Sequence, residues 1–408
     1  MLSYAEARRK VIEVTGALGH RPARETLELA RAFGRVLAQP IPADRDYPPF
    51  DRSTRDGFAV KAADAAVEGV TLACIGECKA GSGFAGSVGP SQCVEIMTGA
   101  AVPAGADAVV MVEYARMAGG RVTIERVAER GQNIVPQGKE ARAGQELLAA
   151  GTRLGVAEMS LAAQVGTPRV TVFARPRVAV LSTGDEVVDI ATTPAPLQIR
   201  NSNGLALGTL AALAGAEPIS LGNAADNRDE LRRGIERGLE ADLLVLSGGV
   251  SKGKYDLVEE ILAESGAEIF FDAVAIRPGQ PTVFGRCHGK PVLGLPGNPI
   301  SSMVTFELFA VPAIDILSGA APQALPILHA RLAHAVRERG TLTRFLPAQV
   351  RERQGEAKVS LLSWQGSGDV AALAQANAFL VVPPEKSEWV AGEWAMVLLR
   401  RGYGGGWC

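Results

Sequence analysis

Aromatic residues are scarce, 5% of 408, which leaves little for a surface that stacks nucleic-acid bases. The formal net charge is only -2 and no block of like charges occurs, so neither a nucleic-acid nor a membrane-surface partner is indicated. Five cysteines, Cys74, Cys78, Cys93, Cys287 and Cys408, are scattered and odd in number. That pattern suits reduced thiols in the cytoplasm. No stretch of about 20 residues reads as apolar enough to span a bilayer, and residues 1–10 lack the apolar core of a signal peptide. The fingerprint of P-loop kinases is missing.

What is present is a globular composition, 47% hydrophobic and 21% charged, in a chain long enough for two to four domains. Ser3 and Glu6 form a capping-box pattern ahead of Ala7, Val11, Val14 and Leu18 at helical spacing, which predicts an amphipathic first helix. Residues 39–49 carry four prolines and read as a connection between domains. Residues 57–140 alternate in short runs, with Gly119-Gly120 placed to turn a hairpin between 108–114 and 121–125. Cys74, Cys78 and Cys93 fall in this region without a fourth zinc ligand at a usual spacing, so buried small residues on strands are the better account.

Residues 147–165 then predict a return strand and a short helix. From Arg177 strands and helices alternate: strands at 178–181, 218–221, 243–246, 269–276 and 291–295, helices after Asn203, through Leu231 and Ile235, over 257–264 and over 299–317. This is the signature of a doubly wound parallel sheet. Asn203 is expected to cap its helix. Beyond Pro322 and Pro326 the chain alternates again, predicting a closing β domain. The fold class is therefore α/β multidomain.

In open α/β sheets ligands bind at the carboxyl ends of the strands. Three predicted strands end there in loops rich in glycine and serine: Ser182-Thr183-Gly184-Asp185-Glu186, Ser247-Gly248-Gly249-Val250-Ser251, and Leu295 through Pro296-Gly297-Asn298-Pro299-Ile300 to Ser301-Ser302. Glycine lets the backbone approach a ligand, and exposed N–H groups ahead of a helix cradle phosphate. Asp226 and Asp256 follow such positions and suit Mg²⁺ between carboxylates and phosphate. Glu186, at a strand end, suits proton transfer or polarisation of a reacting group.

These loops resemble three signatures of the MoeA-type molybdopterin molybdenumtransferases, a family that includes the C-terminal domain of gephyrin. Residues 50–60, with Asp56, and Ile96-Met97-Thr98-Gly99-Ala100 are similar to two others, and Gly366-Ser367-Gly368 to a C-terminal motif. The resemblance implies an enzyme that takes adenylylated molybdopterin and molybdate, inserts the metal into the dithiolene and releases AMP. It implies a homodimer whose doubly wound domain (1–20 and 169–318) faces the β domain (44–141) of the other subunit. A stalk (21–43 and 142–168) and a C-terminal β domain (319–408) complete it. It implies Glu186, Asp56 and Thr98 as catalytic. Gly184, Asp185, Ser247, Gly248, Gly249, Ser251, Gly297, Asn298 and Ser301 would bind the nucleotide-pterin, and Asp226 and Asp256 the Mg²⁺. Arg277, Pro281, Pro296, Pro299 and Ser367 would line the molybdate pocket. The adenylyltransferase of the same pathway is an implied partner.

Departures from the family pattern cluster. Gln280 and Pro347 stand where the family often has lysine and arginine, and both remove a positive charge from the expected oxyanion site. Glu140 replaces an aspartate and Val135 an arginine. Lys252 and Lys254, beside the Gly-Gly loop, could return positive charge, with Arg344 as a further cation. Two alternatives follow: a scaffold of weak or no activity, and the adenylyltransferase, a short single domain that the β domain and tail speak against.

Overall fold

A computed structural model describes residues 1–249, 257–338, 340–353 and 355–402. Its centre is a six-stranded sheet ordered Glu217–Ala224, Arg177–Thr183, Leu243–Ser247, Lys290–Leu295, Val283–Cys287, Glu268–Phe271. The first four strands are parallel, and the last two are antiparallel. The expected all-parallel sheet thus acquires an antiparallel edge, because the short link at 288–289 allows only a hairpin where a parallel return needs a crossover. The single strand expected over 269–276 is two, Glu268–Phe271 here and Ile276–Arg277 in another sheet.

Strand side chains alternate between two cores. Val178, Val180, Leu243 and Val245 meet Val11 of the first helix, Leu207 and Ala211 of Ser202–Leu213, and Phe306 and Phe309. Ala179, Leu181, Leu244 and Leu246 meet Leu231 and Ile235 of Arg228–Gly238 and Val258 and Ile261 of Leu257–Glu264. Helices on both faces make the sheet doubly wound. The first helix, Tyr4–Ala17, opens with the Ser3–Glu6 capping box. Contrary to the expectation from sequence, helix Pro299–Leu317 is long and apolar enough to cross a membrane, but nearly all of it is buried in the fold. It is a core helix.

The β sheet of the first half runs Ala108–Met111, Gly57–Val60, Gln92–Ile96, Thr71–Cys78, Arg121–Ile124, Ala115–Ala118. Gly119 and Gly120, both with positive φ, turn a hairpin between the last two strands. The hairpin partner is therefore 115–118, while Ala108–Met111 pairs with Gly57–Val60. A three-residue helical turn, Val112–Tyr114, separates the two runs that sequence periodicity merged. Gly57 is obligatory here, since a Cβ would lie 1.9 Å from the Val110 carbonyl oxygen. Cys78 and Cys93 are buried on these strands; burial pushes the Cys93 thiol up to about 12, so it packs as a small hydrophobe.

Between these units, Arg24–Glu28 pairs with Arg169–Phe173, and Val170 and Val172 share a core with Leu37, Leu148, Leu154 and Ala162. The strand beginning at Arg169 thus packs with the elements around 24–43 and 146–165, and the chain enters the doubly wound sheet at Arg177. The C-terminal strands form a ring that closes through pairing of Thr343–Arg353 with Ala378–Val382, with Ile276–Arg277 attached.

Candidate functional site

The carboxyl ends of Arg177–Thr183, Leu243–Ser247 and Lys290–Leu295 converge on a cleft of about 670 Å³. Of the residues singled out from sequence, Gly184, Glu186, Asp226, Ser247, Gly248, Gly249, Pro296, Gly297, Asn298 and Pro299 line it. The loops are held at backbone contact: the Gly248 N–H donates to the Leu295 carbonyl at 3.0 Å. At Gly248, with φ +99, a Cβ would meet Thr183 Oγ1 at 2.7 Å. Asp185 does not line the cleft; its Oδ1 accepts from the Asp226 N–H at 2.9 Å. It positions the Asp226 backbone. Helix Pro299–Thr305 directs its N-terminus at the same place, with Pro299 in its first turn.

A second cleft of about 460 Å³ adjoins it, sharing Pro281, Pro296 and Asn298. Arg277, Ser301 and Ser367 line this one, together with Gln280, Glu338, Arg344 and Trp364. It is formed between the doubly wound unit and the C-terminal ring, tied by the Ile300 N–H donating to the Ser367 carbonyl at 3.0 Å. Gln280 does face it, as the resemblance implies. Pro347 is a buried strand residue opposite Phe379 and does not line it.

Asp56 and Thr98 border neither cleft. They form an exposed pair, the Thr98 N–H donating to Asp56 Oδ1 at 2.6 Å and its hydroxyl at 2.8 Å. These two bonds, the amide first, hold the Asp56 carboxyl below the usual carboxylate value. Glu140 pairs with Arg52 at 2.8 Å, and Val135 is the strand partner of that arginine. Ser251, Lys252, Lys254 and Asp256 lie outside the described residues.

One assignment is corrected. The cap of helix Ser202–Leu213 is Asn201, whose Oδ1 accepts from the Gly204 N–H at 2.8 Å and the Ser182 hydroxyl at 2.9 Å. Asn203 instead donates through Nδ2 to Ser247 Oγ at 2.9 Å and to the Gly297 carbonyl at 2.7 Å. It braces two of the three loops, a role that sequence reasoning missed. Among the described residues, Asn203 Oδ1 and Thr183 Oγ1 are buried without a hydrogen-bond partner, and both residues line the first cleft. Buried polar atoms are normally satisfied, so these two suit a polar ligand.

Residues 2–166 match the MoeA N-terminal region (domain I and II), residues 179–315 the probable molybdopterin binding domain and residues 329–399 the MoeA C-terminal region (domain IV). The molybdopterin molybdenumtransferase of Bacillus subtilis (strain 168) is 35% identical over 387 residues, covering 92% of this chain and 90% of the relative. That of Nostoc sp. (strain PCC 7120) is 36% identical over 384 residues, covering 92% and 88%. Among solved structures, the molybdopterin biosynthesis moea protein from Pyrococcus horikosii is similar with TM-score 0.73 and 34% identity, over 97% of this chain and 99% of that one.

Proposed function

This chain belongs to the molybdopterin molybdenumtransferase family, as a transferase of molybdenum-cofactor biosynthesis, and we propose that its two adjoining clefts act as one site. The first takes adenylylated molybdopterin, and the second presents molybdate to the dithiolene, with AMP released as the metal enters. The observation that carries this is the pair of clefts sharing Pro281, Pro296 and Asn298, one lined by glycine loops and the other by arginines. A cleft of about 670 Å³ is of the size that encloses a nucleotide-sized ligand.

The N–H groups of the Gly248-Gly249 loop and the start of helix Pro299–Thr305 face the phosphates. Arg277 and Ser367 hold the oxyanion, and Glu186 moves a proton or polarises the reacting group. Mg²⁺ fits the donor chemistry, since Asp226 offers hard carboxylate oxygen in the cleft; Asp226, with Asp256, would hold it. When bound, it would neutralise phosphate charge.

The exposed Asp56–Thr98 pair, which lines neither cleft of its own chain, suits a homodimer in which it faces the cleft of the other copy. The free, buried thiols of Cys78, Cys93 and Cys287 among the described residues suit the cytoplasm, where the pathway's adenylyltransferase would hand over its product. Purified protein incubated with adenylylated molybdopterin, Mg²⁺ and molybdate tests the reading: AMP release and molybdenum insertion should proceed in step. Folded protein that binds the pterin without either change would favour the scaffold alternative.

A further inference from the structure

The second cleft contains two arginines that the strands force together. Arg277 and Arg344 are register partners on adjacent parallel strands, and both line the cleft. Like charges placed opposite each other in a ladder repel, so an anion must answer them. Within the chain that anion is Glu338, which forms an ion pair with Arg344. Among the described residues lining this cleft, it is the one carboxylate. Its position is set by main chain: Val336–Arg337 pairs with Glu388–Trp389, and the Glu338 N–H donates to the Ser387 carbonyl at 2.9 Å. The paired side chains are only 20% and 26% exposed, so water screens them weakly.

We infer that Glu338 is an internal competitor for the oxyanion, holding the Arg344 guanidinium until a tetrahedral dianion takes it over. A guanidinium fork donates to two oxygens of a carboxylate or of a tetrahedral oxyanion alike, so the exchange needs no rebuilding of the site. Before exchange the carboxylate cancels one of the two arginine charges and repels an arriving dianion. The affinity of the cleft is thereby set below what its arginines alone would give. This rests on the reading of the second cleft as the molybdate side.

The test is calorimetric titration of the full-length protein with molybdate. Glu338→Gln keeps the shape and an acceptor for Arg344 but removes the charge, and should bind molybdate about ten-fold more tightly, with a steeper loss as salt rises. Glu338→Asp keeps the charge and should remain near wild type. If the glutamine variant does not fold, Glu338→Ala should move affinity in the same direction. Wild-type binding left unchanged or weakened by removal of the charge overturns the inference and leaves the reading of the cleft standing. Absence of molybdate binding in wild type and variants alike overturns both.

Discussion

Two carboxylates assigned to the proposed site differ in what surrounds them. Glu186 lies in the first cleft at the end of a strand, where it can reach a bound substrate. Glu186→Gln should remove most turnover while adenylylated-pterin affinity stays within a few-fold, read from single-turnover kinetics beside equilibrium binding. Asp56 is instead poised by Thr98, whose amide and hydroxyl stabilise the charged form. Thr98→Val removes the hydroxyl bond alone, so the Asp56 carboxyl should titrate at higher pH, seen by following its carboxyl carbon in NMR. A depressed carboxylate contributes stability above its unfolded value and loses it as pH falls through the folded one. The threonine variant should therefore lose part of the wild type's stability at neutral pH, and its remaining share should fade at a higher pH on acidification.

At the scale of elements, the loops are braced by side chains as much as by their glycines. Asn203 joins Ser247 and Gly297 across two loops. Its replacement by alanine removes two hydrogen bonds worth about 1 kcal/mol each. Asn203→Ala should weaken adenylylated-pterin binding by about ten-fold or more with a small change in Tm, measured by titration and thermal unfolding. The brace also shows which features were legible. Ser3 with Glu6, the glycines of the three loops and the period of the buried strands are local patterns, and each corresponds to an element in the fold. Asn201 and Asn203 are two asparagines at one helix start, and either can cap. Only contacts to residues 44 and 94 positions away decide that Asn203 does not. The Gly119-Gly120 turn was legible for the same local reason, but its first strand was misplaced because the helical turn Val112–Tyr114 has no periodicity of its own to mark it.

For the molecule as a whole, the sequence motifs sort into two groups, of which one lines the clefts and the other does not. The strand-end loops build the two clefts, whereas Asp56 and Thr98 sit just outside strands Gly57–Val60 and Gln92–Ile96 and line neither. Local sequence does not encode which motifs border one cleft, because that follows from the pairing of strands distant in the chain. The central claim is that one site takes its loops from one copy and Asp56 from another. Subunit complementation measures it directly. Asp56→Asn and Glu186→Gln proteins, each inactive alone, are mixed under conditions in which subunit exchange is confirmed, and molybdenum insertion is followed. Random pairing of symmetric dimers should restore up to about a quarter of the wild-type sites, because each mixed dimer carries one intact site. No recovered insertion in the exchanged mixture would contradict the account and place Asp56 and Glu186 in a site built within a single chain.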